Sequence, residues 1–242
     1  MSPERAPLLV IEGLTKRYGA LRALDGLSLH VAPGEILGLV GPNGSGKTTA
    51  INAISGIARP DAGQVRIGGR RIERLPPHRI VHLGINRTFQ VPKCFLGLTV
   101  RQNVEVALAY GGAGARHDAA SLLASVDLAA EAERPASELN SAQQKLLDLA
   151  RALATGPRLL LVDELAAGLN PAELERVAAK LRALARGGMA LLVVEHLMGF
   201  IDAITDRVIV MNAGREIFEG VLGDAVRDPK VVEVYLGGAH AA

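Results

Sequence analysis

The chain has 242 residues, 49% of them hydrophobic, and a formal net charge of +2, which together predict one large hydrophobic core in a single domain. Scattered charge, 3% aromatic residues and no Trp argue against a nucleic-acid surface, and a single cysteine, Cys94, excludes an intrachain disulfide and a Cys/His zinc site. The first residues lack a signal-peptide core and charge interrupts every apolar run before ~18 residues, so we expect a cytoplasmic chain that does not span a membrane.

Three short segments near the N-terminus predict a small antiparallel sheet. Residues 8–11, 27–31 and 64–67 have the apolar or alternating pattern of strands and are separated by turn residues. We expect this sheet to lie beside the site formed by the next segment.

A continuous apolar run, residues 36–40, predicts a buried parallel strand, and the nine residues after it fit the phosphate-binding pattern G-x-x-x-x-G-K-[ST]. These nine residues are Gly41, Pro42, Asn43, Gly44, Ser45, Gly46, Lys47, Thr48 and Thr49. Glycines allow backbone N–H groups to face phosphate oxygens, Lys47 reaches the outer phosphates, and the Thr48 hydroxyl can bind Mg²⁺. A glycine-rich turn before an ordinary helix is the alternative, but the buried strand before it and the helical spacing of Ile after it favour nucleotide binding.

The pattern becomes helical between residue 91 and about residue 151. Residues 100–108 predict the first helix, the segment Gly111, Gly112, Ala113 and Gly114 breaks the chain, and helices resume at 119–126 and 142–154. We interpret residues 91–151 as a helical subdomain inserted into a core formed by residues 1–90 and 152–242.

Two further apolar runs, residues 159–162 and 190–194, predict parallel strands of a central doubly wound sheet. Asp163 and Glu164 follow the first run and His196 follows the second, so all three are expected at the sheet edge that carries the phosphate loop. Asp163 then holds Mg²⁺ through water, Glu164 acts as general base, and His196 contacts the γ-phosphate or orients the attacking water. Taken singly, the acidic pair fits a strand cap and the histidine a structural role.

The C-terminal part predicts a β-hairpin. Residues 207–211 and 216–218 are its strands, and Gly214 is expected at the position with positive φ.

The order and spacing of these motifs resembles the ATP-binding subunits of ABC transporters over nearly the whole chain. The likeness rests on the phosphate loop, Gln90, residues 139–144, the Asp163 and Glu164 pair, and His196. It implies an α/β fold: a P-loop NTPase (RecA-like) core with an antiparallel β subdomain and an inserted α-helical subdomain. It also implies that ATP and Mg²⁺ bind, with Gln90 as a further ligand of Mg²⁺ or water and Tyr18 stacked on adenine.

The family resemblance implies partners as well. ATP lies between the phosphate loop of one subunit and the signature segment of another, which for this chain points to a heterodimer with a second ABC ATPase, a homodimer being the alternative. Transmembrane permease subunits place the chain on the cytoplasmic face of the membrane, with no role for nucleic acid. Residues 91–96 lie where the family docks its membrane subunit, and exposed Phe95 and Leu96 suit that position, although a core role fits them equally.

The nearest subgroup is similar to branched-chain amino acid uptake ATPases. Its features are residues 86–90, 98–104, 166–171, 194–196, 198–200 and 234–237, which we interpret as subgroup features rather than chemistry. They predict an importer of hydrophobic amino acids that has two different ATPase subunits and receives its cargo indirectly from a substrate-binding protein.

The sequence departs from the family pattern in the signature segment and at residues 165 and 170. The signature, usually close to L-S-G-G-Q, here reads Leu139, Asn140, Ser141, Ala142 and Gln143, so both glycines are lost and the Ala142 Cβ is expected to crowd the approach to the γ-phosphate. Asn140 can still donate a hydrogen bond in place of serine. Leu165 replaces the Pro that follows the catalytic Glu, which predicts a less constrained backbone, and Asn170 replaces a common Asp.

Three alternatives remain open at this point. A soluble ABC protein acting on nucleic acid usually needs tandem ATPase units or a long coiled-coil insertion, and neither is present in this sequence. A nucleotide-binding module with impaired hydrolysis is consistent with the altered signature, although Lys47, Glu164 and His196 are intact. An ABC ATPase for another cargo is the third.

Overall fold

The computed structural model describes residues 6–111 and 118–236. The glycine break at residues 112–114 and the end of the 234–237 segment lie outside the described residues. The strands are β1 (Leu9–Tyr18), β2 (Leu21–Val31), β3 (Ile36–Val40), β4 (Ala62–Ile67), β5 (Arg70–Arg71), β6 (Ile85–Arg87), β7 (Leu159–Asp163), β8 (Ala190–Val194), β9 (Arg207–Asn212) and β10 (Arg215–Gly220). The helices are α1 (Lys47–Ile54), α2 (Pro77–His82), α3 (Val100–Tyr110), α4 (Ala119–Ser125), α5 (Ser141–Ala154), α6 (Pro171–Arg186), α7 (Met198–Ile204), α8 (Leu222–Ala225) and α9 (Pro229–Leu236).

The central sheet has six strands in the order β10-β9-β3-β8-β7-β6. Every neighbouring pair is parallel except β9 and β10, which form the predicted hairpin. Strands β3, β7 and β8 are buried along their whole length, which is why their sequences are continuously apolar. The sequence did not predict β6, because three residues carry too little pattern to distinguish a strand.

The second sheet is antiparallel, in the order β2-β1-β4-β5. Its first two strands are longer than predicted: β1 continues to Tyr18, whereas its apolar run ends at Ile11. The extra residues include Thr15, Lys16 and Arg17, which pair with β2 although their side chains are polar. Cross-strand pairing therefore extends β1 where its own composition does not predict a strand.

The hydrophobic core lies on the two faces of the central sheet. One cluster includes α3, α4 and α5 and packs against side chains such as Leu160 and Val193. The other joins α1 and the antiparallel sheet to the opposite face, through Leu161 and Leu192. Helix α5 begins at Ser141, one residue earlier than predicted, because the Asn140 side chain accepts a hydrogen bond from the Gln143 N–H. None of the helices within residues 6–111 and 118–236 is long and apolar enough to cross a membrane.

Candidate functional site

The phosphate loop connects β3 to α1 and has a backbone that only glycine adopts easily. Gly41, Gly44 and Gly46 have φ values of +148°, +79° and +107°. A Cβ on Gly46 would lie 2.4 Å from the carbonyl oxygen of Ala23 in β2, and a Cβ on Gly41 would lie 2.3 Å from that of Met211 in β9. Both sheets therefore pack directly on the loop and fix its shape.

Lys47 opens α1 and is almost fully buried. Its Nζ donates hydrogen bonds to the carbonyl oxygens of Gly41 and Pro42, at 2.8 Å and 2.9 Å. Burial lowers the pKa of Lys47, while Glu164 and Asp163 act in the opposite direction. The lysine thus folds back on its own loop, within the electrostatic influence of both predicted catalytic carboxylates.

The structure brings Glu164, Gln90 and His196 together at the carboxyl edge of the central sheet. Gln90 Nε2 donates to Glu164 Oε2, and His196 Nε2 pairs with Glu164 Oε1. Glu164 itself has a φ of +48°, a conformation that costs energy for a residue with a side chain. Residues that follow β6 and β8 therefore hold the carboxylate of Glu164, which follows β7 and has a strained backbone.

Asp163 is buried and pairs with a residue whose part in the site the sequence analysis missed. Arg87 Nη2 donates to Asp163 Oδ2 at 2.9 Å, and Arg87 Nη1 donates to Asn52 Oδ1 in α1 at 2.6 Å. Burial raises the pKa of Asp163, and the Arg87 guanidinium opposes that shift. The sequence analysis interpreted residues 86–90 as subgroup features and gave Arg87 no role, whereas the structure shows that Arg87 links β6, β7 and α1. The signal that could have indicated this role is the position of Arg87, a charged residue three positions before Gln90.

The residues present fit a magnesium ion bound together with a nucleotide better than a preformed metal site. The Thr48 hydroxyl lies on the exposed side of the first turn of α1. Asp163 has only Oδ2 engaged by Arg87 in the described contacts, which leaves Oδ1 for a water-mediated contact. No cluster of three or more His, Cys, Asp or Glu side chains capable of holding a metal occurs in the described part of the chain. Oxygen ligands from phosphate and water must therefore complete any magnesium shell.

The turn after Glu164 is well held, contrary to the expectation drawn from Leu165. Lys145 Nζ in α5 donates to the carbonyl oxygens of Glu164 and Ala167, at 2.8 Å and 2.6 Å. The Ala166 N–H donates to Glu195 Oε1 at 2.6 Å. Two buried side chains from other segments therefore constrain this backbone in the absence of the family's Pro.

The signature residues lie at the start of α5. Asn140 caps the helix, and its N–H donates a hydrogen bond to Gln143 Oε1 at 3.1 Å. Gln143 Nε2 donates to Glu131 Oε1 at 3.2 Å. Ser141 and Ala142 form the first turn of α5. Among the described residues, no hydrogen bond joins residues 140–143 to residues 41–49 of the same chain, so this segment stands apart from the phosphate loop.

The remaining predicted contacts lie on the surface. Tyr18 is 50% exposed, and the Lys16 ammonium lies 5.3 Å from its ring centroid, which leaves the other ring face accessible. Phe95 and Leu96 are 46% and 53% exposed, which excludes a core role for them within this chain. The Arg151 guanidinium lies 4.8 Å from the Phe95 ring centroid and supports its position.

Comparisons with known proteins agree with this geometry. Residues 24–167 match the family model described as "ABC transporter". The high-affinity branched-chain amino acid transport ATP-binding protein BraF of Pseudomonas aeruginosa is 35% identical over 254 residues, covering 96% of this chain and 99% of that protein.

Solved structures give the same result. The ADP conformation of an ATP-binding cassette of an ABC transporter superposes with a TM-score of 0.85 at 32% identity, covering 96% of this chain and 99% of that one. A dimeric post-hydrolysis cassette bound to ADP and phosphate superposes with a TM-score of 0.80 at 27% identity, covering 88% and 98%. The chain therefore belongs to the ABC transporter family and has the α/β fold of its ATP-binding cassettes.

Proposed function

We propose that this chain is the ATP-hydrolysing subunit of an ABC importer for branched-chain or other hydrophobic amino acids. The single observation that carries the hydrolytic part is the convergence of Gln90, Glu164 and His196 at the sheet edge beside Lys47. The cargo is inferred from the similarity to the Pseudomonas aeruginosa transport protein, which extends over 96% of this chain.

The chain's own residues have distinct roles in this proposal. Lys47 exchanges the carbonyl oxygens of Gly41 and Pro42 for phosphate oxygens, and the N–H groups of the glycine-rich loop face the same phosphates. Glu164 accepts the proton of the attacking water, while His196 and Gln90 keep its carboxylate oriented. Tyr18 offers its free ring face to adenine. Thr48, and through water Asp163 and Gln90, would hold magnesium, which when bound would neutralise charge on the phosphates.

An impaired module is the rival proposal, because the signature lacks both glycines. The contacts of Glu164 argue against it for the site that this chain's own phosphate loop builds, since the base and both of its predicted neighbours are in contact. The altered residues 140–143 lie elsewhere, and in a head-to-tail dimer they face the partner's nucleotide. Impairment, if present, is therefore expected at the partner's site.

The proposed assembly places this chain on the cytoplasmic face of the membrane, bound to permease subunits. Exposed Val91, Phe95 and Leu96 follow Gln90 and offer an apolar docking surface at the edge of the site. A second, different ATPase subunit completes both nucleotide sites, and a substrate-binding protein acts through the permease.

The test is purification of the intact complex from its native host through a tag on this chain. We expect permease subunits and a second ATPase to copurify, and ATP hydrolysis to rise when a leucine-loaded binding protein is added. Hydrolysis that leucine, isoleucine and valine leave unchanged contradicts the proposed cargo.

Lys47→Ala tests the nucleotide site itself. The variant should lose most ATP affinity in calorimetry, because the lysine charge offsets phosphate repulsion in a site otherwise made of backbone dipoles. Lys230→Met removes an exposed lysine of α9 and serves as the matched control. Equal ATP binding by Lys47→Ala and Lys230→Met contradicts the site assignment.

A further inference from the structure

Lys145 is a buried lysine whose hydrogen bonds end on backbone carbonyls. Its Nζ donates to the carbonyl oxygens of Glu164 at 2.8 Å and Ala167 at 2.6 Å, with a longer contact of 3.4 Å to that of Leu165. The residue is 6% exposed, and no carboxylate in the described part of the chain forms an ion pair with it. Burial lowers the pKa of Lys145, the charges of Glu195 and Glu164 oppose that shift, and the carbonyl hydrogen bonds add to the stabilisation of the buried ammonium.

Glu195, an acidic residue, contacts the same turn through a backbone N–H group. Its Oε1 accepts a hydrogen bond from the Ala166 N–H at 2.6 Å, and the carboxyl group is 2% exposed. Burial raises the pKa of Glu195, and the backbone N–H groups of Ala166 and His196, followed by the Lys145 ammonium, oppose that shift. In the turn from Glu164 to Ala167, carbonyl groups therefore accept hydrogen bonds from the Lys145 ammonium, and the Ala166 N–H donates one to the Glu195 carboxyl group.

The turn needs this support because of the conformation of Glu164. A residue with φ of +48° costs of the order of 1 kcal/mol or more and persists only where the surroundings hold it. The residue after it is Leu165, which leaves φ free where the family's Pro would fix it. Lys145 and Glu195 are the described side chains that bond the backbone of residues 164–167.

Lys145 and Glu195 lie in two segments of the predicted nucleotide site, the signature helix α5 and the end of β8. Lys145 lies in α5, two residues after Gln143, the last residue of the signature. Glu195 precedes His196, which pairs with the Glu164 carboxylate. A shift of α5 relative to the central sheet would therefore either move the carbonyl groups that Lys145 contacts or break these hydrogen bonds.

We propose that Lys145 and Glu195 are positioning residues that clamp the turn from Glu164 to Ala167 and so couple the signature helix of this chain to its own catalytic base. The inference deepens the proposed function and depends on it. In the proposed dimer the signature segment faces the partner's nucleotide. The contacts of Lys145 would therefore link the position of that segment to the position of Glu164 in this chain's own site. Lys145 acts through the backbone of Glu164 and does not itself contact ATP.

The test measures ATP turnover and ATP affinity of the tagged native complex carrying Lys145→Met, with Lys145→Arg as the conservative variant and Lys230→Met as the control. We expect Lys145→Met to lower kcat at least tenfold while the Kd for ATP changes less than twofold. Lys145→Arg should retain at least a third of the parent kcat, because it still donates to carbonyls. A folded Lys145→Met complex with kcat within twofold of the parent, an equal loss in Kd and kcat, or no rescue by arginine overturns the proposal.

Substitutions of Glu195 provide an independent test if the Lys145→Met variant does not fold. Glu195→Gln keeps an acceptor for the Ala166 N–H and should stay within threefold of the parent kcat, whereas Glu195→Leu should lose at least tenfold. Equal kcat values for the two variants overturn the clamp. Glu164→Gln separates the two levels of inference: if it hydrolyses ATP at the parent rate, the proposed function itself fails, whereas an inactive Glu164→Gln beside a fully active Lys145→Met rejects the clamp alone.

Discussion

At the scale of single residues, the site depends on charges that are buried in pairs. Arg87 and Asp163 have side chains 7% and 3% exposed and meet at 2.9 Å. Both have been removed from water, so each compensates the desolvation of the other. The pair also fixes where Asp163 presents its second oxygen, which connects the stability of this region to its chemistry.

Removing one partner of this pair should be strongly destabilising. We expect Arg87→Met to lower the free energy of unfolding by about 3 kcal/mol, because Asp163 is left as an uncompensated buried charge. Arg22→Met is the matched control, since Arg22 pairs with Asp25 at the surface and its loss should cost at most about 0.5 kcal/mol. Urea unfolding of the nucleotide-free chain measures both, and equal midpoints contradict the importance of the buried pair.

At the scale of elements, helix starts determine where several site segments lie. Asn170 caps α6: its Oδ1 accepts a hydrogen bond from the Glu173 N–H at 3.0 Å, and its own N–H donates one to Glu173 Oε2 at 2.8 Å. This reciprocal capping accounts physically for a polar residue at the position where the family commonly has Asp.

The cap makes Asn170 sensitive to some substitutions only. Asn170→Ala should cost about 1 kcal/mol in unfolding free energy, because the Glu173 N–H loses its acceptor. Asn170→Asp retains an acceptor and should be neutral within about 0.5 kcal/mol. Guanidinium unfolding followed by circular dichroism distinguishes them, and a loss that is the same for both variants would show that capping is not the reason.

The elements also show what the sequence could and could not predict. The sequence predicted β3, β7 and β8, because strands that are buried on both faces are continuously apolar. It also predicted the polar site residues that follow β7 and β8. The sequence did not predict strand β6, the length of β1 or the contacts of Arg87 and Lys145. These features depend on contacts with other segments of the chain. Arg87 meets Asp163 across 76 positions, and no periodicity records that distance.

At the scale of the whole molecule, the altered signature predicts unequal nucleotide sites. In the proposed heterodimer, residues 140–143 cover the partner's nucleotide, while the partner's signature covers the site built on Lys47 and Glu164. A homodimer would instead place the altered segment over both sites. In the proposed head-to-tail dimer, the signature and the base of this chain would therefore act on different ATP molecules.

Separate inactivation of the two phosphate-loop lysines tests this asymmetry in the reconstituted complex. Loss of Lys47 should abolish most turnover, whereas loss of the partner's corresponding lysine should cost less, because that site is already slowed by Ala142. The paired change Ser141→Gly and Ala142→Gly should raise only the partner site's activity. Equal losses from the two lysine variants, or full activity with this subunit alone, would contradict the asymmetry.

The central claim is that Glu164 is the base for ATP hydrolysis at the site of this chain. Single-turnover hydrolysis of radiolabelled ATP by the Glu164→Gln complex tests it most directly, because the amide keeps the shape of the side chain but cannot accept the proton. We expect the variant to bind ATP with the parent's affinity, to accumulate as a closed dimer and to leave the ATP at the Lys47 site intact. Cleavage of that ATP at the parent rate would contradict it.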